Sequence, residues 1–342
     1  MKAIVQTGER SVEVQQRERP TVGPNQVLIE VHSAGVCGSD AHAYTCEEGY
    51  EWIPIPRIMG HEYAGTVVEV GADVTEFSEG DHVLEEPVRS CGTCFQCKNE
   101  QSNVCQNFSI RGMHRDGAYT EYVAVDEPSV HRLPDTVPLE EAAIAEPTSV
   151  AARAVFAQSS VSPGDNVLVE GPGPIGVLSA VVADSAGANV LVSGLGKDSE
   201  YRLPMLEGMD IETVDIEADP LDDRTESFTD GVGFDVVFDT TGHRTGVEVA
   251  VEQVRKGGEV VVVGLPGGSS DLFMTPVVRG EITVGTSYGS KWKDFERAIR
   301  LMESGAIDVD PIVDYSYNVD DPTAAFESFL RSETCKPLFT FA

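Results

Sequence analysis

Four short apolar runs, NVLVEG, NVLVSG, FDVVFDTTG and EVVVVGL, recur through the middle of this 342-residue chain, separated by longer segments of helical period. Runs that are apolar at nearly every position belong to strands buried on both faces, and the intervening helices supply the cover. From about Val150 the chain therefore reads as a βαβ series, an α/β unit built on a doubly wound parallel sheet. The first run leads into GPGPIG, where Gly171, Gly173 and Gly176 keep G-x-G-x-x-G spacing and Pro174 and Ile175 open a helical run. Gly171 permits a tight turn, Gly173 lets the backbone approach a pyrophosphate, and Gly176 lets the helix pack on the strand with its N-terminus facing the anion. An ordinary glycine turn is the other reading of these residues.

The flanking regions have a different rhythm. From Val27 to about Leu133, β-rich runs (QVLIEVHSAGV, YAGTVVEV, AYTEYVAV) are broken by Gly, Pro, Asp and Asn, which suggests a mostly β unit, a distorted barrel. After Tyr288, KDFERAIRLMESGAI reads as an amphipathic helix ended by Gly305, and KPLFTFA as a closing strand. The expected division is 1–149 with 289–342 as one domain and 150–288 as the other.

Cys91, Cys94, Cys97 and Cys105 form C-x2-C-x2-C-x7-C among turn residues. Thiolates at this spacing can wrap one tetrahedral zinc ion and leave no position for water, which marks a structural site. An iron–sulfur cluster or four merely packed thiols are the alternatives. Cys37 stands apart in GVCGSDAH, and His61 and Glu62 lie in MGHEYAGTVVEVG. Singly each is unremarkable, since a lone Cys usually packs in a core and a lone His is usually satisfied locally. Together, one thiolate, one imidazole and a carboxylate can build a zinc site with a labile position, the requirement for polarising an alcohol.

The chain carries 57 acidic and 24 basic residues, a formal charge of -33. Such a surface repels phosphate backbones, so nucleic-acid binding is excluded as a function class. No stretch approaches the roughly 20 apolar residues of a membrane span, and MKAIVQTGERSVEV lacks the apolar run of a signal peptide, so a cytoplasmic protein is expected. The acids are spread along the whole chain, a solvated surface suited to high salt.

The order of CGSD at Cys37, GHEYAGTVVEVGADV from Gly60, the four-Cys lobe, GAYTEYV from Gly117, AEPTSVA from Ala145 and GPGPIG resembles that of zinc-containing medium-chain dehydrogenases over nearly the whole chain, most of all the sorbitol, threonine and sugar dehydrogenase branch. The resemblance implies a GroES-like catalytic domain and a Rossmann cofactor domain. It makes Cys37 and His61 ligands of a catalytic zinc, Glu62 a carboxylate able to bind that zinc or swing beside it, and Glu146 a further ligand, direct or through water, typical of the polyol side. Ser39 matches the hydroxyl that takes the alcohol proton and His42 the histidine that passes it to solvent, a role suited to a near-neutral group.

Two zinc ions per chain, a small polar alcohol substrate and a homodimer or homotetramer follow from the same resemblance, with a threonine 3-dehydrogenase-like activity as the rival. A zinc-free quinone or enal reductase is opposed by the four-Cys lobe, and a catalytically lost descendant by the intact Cys37, Ser39, His61 and Glu146. Gly264, Leu265 and Thr286 fall where the family holds the nicotinamide ring, and His42, Tyr44, Trp52, His114 and Arg115 are candidates to line the substrate pocket. The second strand of the cofactor domain ends in Ser193-Gly194, where an NAD-binding unit carries an acid for the ribose 2′-hydroxyl. With Lys197 and Arg202 as cations in reach of a 2′-phosphate, NADP is expected over NAD.

The charge yields a first test. Screening length shrinks from about 30 Å at 0.01 M salt to about 3 Å at 1 M, so self-repulsion fades over that range. Activity and thermal midpoint are both expected to climb from dilute buffer to molar salt, and maxima in dilute buffer would contradict adaptation to salt.

Overall fold

Residues 1–341 are described by a computed structural model with two compact units. One holds Met1–Glu146, Lys291–Leu330 and the chain from Lys336 on; the other holds Pro147–Ser290 and Arg331–Cys335.

In the first unit, β1 (Gln26–Gly35) runs antiparallel to β2 (Glu62–Val70) on one side and to the strand Lys336–Thr340 on the other. Gly35 is the shared end point, opposite both Glu62 and Leu338. Three strand ends therefore meet where the chain leaves β1 for the short helix α1 (Gly38–Tyr44). Beneath lies a core that includes Ile29, Val31, Tyr63, Val67, Tyr119 and Phe339, all nearly or fully buried.

The loop through Arg111–Gly117 is held against this sheet by Glu85. That buried carboxylate accepts hydrogen bonds from Arg111 Nε and Nη2, from Arg115 Nη2 at 3.1 Å and from the Tyr63 hydroxyl at 2.7 Å. Bonds from Gly117 N–H to Ile58 O, Ala118 N–H to Gly60 O and Tyr119 N–H to Met59 O then lay the loop along the residues leading to His61. The amphipathic helix expected after Tyr288 is Trp292–Glu303. It buries Phe295, Ala298 and Ile299, and Gly305 follows with φ +67°. Burying an aromatic such as Phe295 contributes about 1.5–3 kcal/mol.

In the second unit the apolar runs form parallel strands: β3 (Asn166–Glu170), β4 (Asn189–Gly194), β5 (Glu212–Asp215), β6 (Phe234–Asp239), β7 (Val254–Val262) and β8 (Thr283–Thr286). Their spatial order is β5-β4-β3-β6-β7-β8, all parallel, which is the doubly wound sheet the apolar runs predict. Leu168, Leu191, Val237 and Val260 are fully buried within it. The chain winds outward from β3 through β4 to β5, then returns to β6. The switch point therefore lies between β3 and β6, where open α/β sheets receive their ligands.

Candidate active site

Cys37 is the N-cap of α1, and His61 and Glu62 stand at the start of β2. A ligand atom from each lies within 4.8 Å of the others. His61 and Glu62 are 6% and 0% exposed, so their charges need partners within the protein. For Glu62 the partner is Lys336, itself 1% exposed, whose ammonium reaches the two carboxylate oxygens at 2.8 and 2.7 Å and the Val36 carbonyl at 3.0 Å. For His61 it is Asp40, one of whose oxygens lies 3.6 Å from Nδ1. The other accepts the Cys37 N–H at 3.1 Å and the Tyr119 hydroxyl at 2.8 Å.

Burial alone would raise Asp40, but His61 and these donors hold it below the ordinary aspartate range. Burial likewise opposes charge on His61, and Asp40 and Cys37 outweigh it, keeping the imidazole well above its usual range. Glu146, 8% exposed in the first turn of the helix Ala145–Ala157, shares this electrostatic neighbourhood without joining the three clustered ligand atoms. Burial, with Glu62 and Asp40 adding to it against His61 and Lys336, pushes its carboxyl up to about 7. A thiolate, an imidazole and carboxylates drawn together in a buried pocket of charge are a donor set that suits zinc.

Ser39 and His42 follow Cys37 on α1, three residues apart and so on one face. Ser39 is half-buried, whereas His42 is exposed, with Nδ1 2.5 Å from Glu47 Oε2 and its ring stacked on Tyr50. Among the pocket candidates, Trp52 and His114 pack ring to ring at 4.4 Å. Tyr44 and Arg115 turn inward instead, Tyr44 to Glu327 and Arg115 to Glu85 and the Pro87 carbonyl.

Asp40, Tyr119 and Lys336 are the residues that sequence reasoning passes over. Asp40 and Tyr119 stand inside quoted motifs, where only the fold shows what they touch. Lys336 carries a signal of its own, a lone cation at the head of the apolar run KPLFTFA.

The four thiols of the lobe have their sulfurs within 4.8 Å of one another. Cys94 Sγ lies 3.4 Å from Cys97 Sγ and 3.8 Å from Cys105 Sγ. Tetrahedral zinc with bonds of about 2.3 Å places its sulfurs about 3.8 Å apart, so the residues fit that ion. Backbone N–H groups reach the sulfurs as well, while burial and the Cys94 thiol push Cys97 up to about 11. Cys105 Sγ receives N–H groups from Cys91 and Asn107 at 3.2 and 3.3 Å, and the N–H groups of Thr93 and Cys94 pull Cys91 down to about 5.

In the second unit Gly171 has φ +90°, and its N–H bonds the Ser193 carbonyl at 2.9 Å. Gly173 caps α2 (Pro174–Ser185), with open space where a side chain would begin. At Gly176 a Cβ would lie 1.9 Å from the Gly171 carbonyl oxygen, so the helix can approach the strand only with glycine there. Ser193 is buried and Gly194 ends β4.

Lys197 is exposed, as a phosphate contact requires. Arg202 is not placed for the contact expected of it. Only 7% exposed, it donates Nε to the Thr334 carbonyl at 3.1 Å and lies 3.6 Å from Asp198. The acid absent from the end of β4 has a neighbour instead, since Glu217 Oε2 accepts the Gly196 N–H at 2.9 Å. Gly264 N–H bonds the Asp239 carbonyl at 2.9 Å, while Leu265, in the loop after β7, and Thr286, the last residue of β8, are exposed.

Residues 23–135 match the alcohol dehydrogenase GroES-like domain, and residues 174–304 the zinc-binding dehydrogenase family. A sorbitol dehydrogenase of Halalkalibacterium halodurans is 34% identical over 99% of both chains. An L-threonine 3-dehydrogenase of Pyrococcus furiosus is 35% identical over 99% of this chain and 98% of its own. Among solved structures, a putative zinc-binding dehydrogenase from Sinorhizobium meliloti bound to NADP superposes with a TM-score of 0.89 at 27% identity, covering 99% of each chain. With both halves matched and relatives above 30% identity along its length, this chain belongs to the zinc-binding medium-chain alcohol and polyol dehydrogenases.

Proposed function

We propose that the chain oxidises a secondary alcohol of a polyol, sugar or similar small polar molecule, passing hydride to a nicotinamide cofactor with NADP preferred, and that it holds two zinc ions. The observation that carries this reading is the clustering of Cys37, His61 and Glu62 beside a buried Glu146. Cys91, Cys94, Cys97 and Cys105 would hold the structural ion; Cys37, His61 and Glu146, with Glu62 at hand, would hold the catalytic one. When bound there, zinc supplies a Lewis acid that makes an alcohol proton easier to remove.

The chain's own groups do the rest. Asp40 orients His61, and Lys336 holds Glu62 in reserve. Ser39 takes the alcohol proton, and His42, exposed and paired with Glu47, relays it to water. An L-threonine dehydrogenase activity is the second reading, favoured by a relative of that activity at 35% identity.

The proposed homo-oligomer would form on the edge strand β8. Val284 there, with Phe273, Met274 and Val278 nearby in sequence, leaves apolar surface exposed. Among the described residues no helix is long and apolar enough to cross a membrane. A cytoplasmic location and adaptation to high salt complete the proposal.

Metal analysis is expected to find two zinc ions per chain. Mild chelation should remove one of them with the activity while circular dichroism stays native, because the lobe is closed and the other site is not. Loss of fold and activity at a single chelator concentration would refute the division.

Turnover of polyols, aldoses and threonine with both cofactors at high salt tests the substrate reading. Turnover of threonine alone would select the rival, and no hydride transfer to any of them would end both.

Cofactor choice rests on Gly194. The first atom of a side chain there meets only side-chain ends, Leu203 at 2.9 Å and Pro172 at 3.1 Å, so Gly194→Asp should fold and bring back the acid. It is expected to swing the ratio of kcat/KM toward NAD by tenfold or more, about 1.4 kcal/mol. Glu217 favours the opposite reading, in which NAD is already preferred. A wild type that favours NAD tenfold, and loses that preference in Glu217→Gln, would establish it.

A further inference from the structure

Glu170 is the last residue of β3 and immediately precedes Gly171. It is 3% exposed, and no donor among the described residues reaches either carboxylate oxygen. Buried polar atoms without partners are rare in folded proteins, and two on one carboxylate call for a cause. In register beside it stand Ser193 at the end of β4 and Asp239 at the end of β6. Residues paired across parallel strands face the same side of a sheet, so two acids lie next to one another at the switch point.

The two acids are not equivalent. Asp239, also 3% exposed, accepts the N–H of Thr241 at 3.0 Å and its hydroxyl at 2.7 Å, and His243 on the same turn adds favourable charge. Burial lifts Asp239 above its ordinary range, with those groups pulling against it. Glu170 has no such help, and burial together with Asp239 drives it well above the ordinary glutamate range. Ionising both would set two like charges side by side in a dry interior, so a proton stays on the acid without donors.

We infer that Glu170 is held as an uncharged carboxylic acid and that its proton makes dinucleotide binding pH-dependent: the loop that follows receives the cofactor's pyrophosphate while the proton is present and repels it once the proton is lost. This rests on the reading of Gly171–Gly176 as the pyrophosphate loop. The N–H groups at the start of α2 attract an anion, and a carboxylate in the adjoining residue would oppose it with little water between to screen the repulsion. By reciprocity, bound dinucleotide would tighten the hold on the proton. Glu170 is thus a positioning residue for the cofactor, acting through charge.

Glu170→Gln keeps the shape and abolishes the titration. Dissociation constants of NADH and NADPH, read by fluorescence of the full chain at constant high salt, should rise in the wild type by up to about tenfold per pH unit once Glu170 ionises. In the Gln variant that step should be missing. Difference infrared spectra of the cofactor-free proteins should show a protonated carboxyl band at neutral pH that is lost in Glu170→Gln. Folded Glu170 binds its proton more tightly than the unfolded chain does, so this contribution is full below the usual glutamate range and declines as pH rises toward the folded value. The thermal midpoint of Glu170→Gln should therefore pull ahead of wild type across that interval.

Identical pH profiles of binding in the two proteins, or no carboxyl band to lose, would overturn the inference. If neither protein bound either dinucleotide at any pH, the pyrophosphate loop itself would be refuted and the inference with it.

Discussion

Lys336 sits in the interior at 1% exposure, and its ammonium is tolerable there only because Glu62 offers both oxygens and Val36 a carbonyl. A buried ion pair of this kind is weak evidence of stability, since desolvation offsets most of the attraction, but it is strict about geometry. It joins the closing strand to the start of β2 and the end of β1, the three chain segments that frame Cys37 and His61. Placement of the candidate ligands therefore depends on a contact that touches no ligand but Glu62. It also sets the behaviour of that residue: Glu62 is held by a cation on one side and faces Cys37 and His61 on the other, so any pull by a metal must compete with Lys336.

Charge is handled in two opposite ways in this protein. With 57 acids against 24 bases in the chain, the exposed acids exceed the cations able to pair with them, and the remainder are left to solvent and salt. Inside, each acid has its own arrangement. Glu85 is neutralised by Arg111 and Arg115, Asp40 by His61 with the Tyr119 hydroxyl, and Glu62 by Lys336. Glu170 has no cation bonded to it among the described residues, and both it and Glu146 are pushed toward the neutral form, Glu146 against the pull of His61 and Lys336. Salt can reach the first population and not the second, because screening acts through water.

Much of the architecture was legible because it depends on local pattern. The apolar runs with GPGPIG predict a parallel sheet with a tight glycine turn, and the strand order and the positive φ of Gly171 agree. The four-Cys spacing is likewise local, and its sulfurs do converge. What the pattern could not convey was pairing at a distance. Lys336 meets Glu62 across 274 positions, and Tyr119 meets Asp40 across 79. Arg202 shows the reverse error: counted along the strand it lies within reach of a phosphate, yet folding turns it inward to Asp198 and Thr334. Tyr44 and Arg115 fail as pocket residues for the same reason, since a one-dimensional reading gives no side-chain direction.

The first unit is discontinuous along the chain, and this bears on how the protein comes into being. As the polypeptide leaves the ribosome, the segment bearing Cys37, His61 and Glu62 emerges early, followed by the whole second unit, whose core is drawn mainly from contiguous sequence. Only then does the strand with Lys336 appear. Until it does, β1 lacks the neighbour that pairs with it from Ser33 to Gly35, and Glu62 is an acid without its counter-ion. Domains tend to fold as units during synthesis, with the N-terminal one first. In this chain that order is inverted: the contiguous part of the second unit, Pro147–Ser290, can pack while the first waits with an open sheet edge, so the nascent protein is most vulnerable to mispairing until the Lys336 strand emerges.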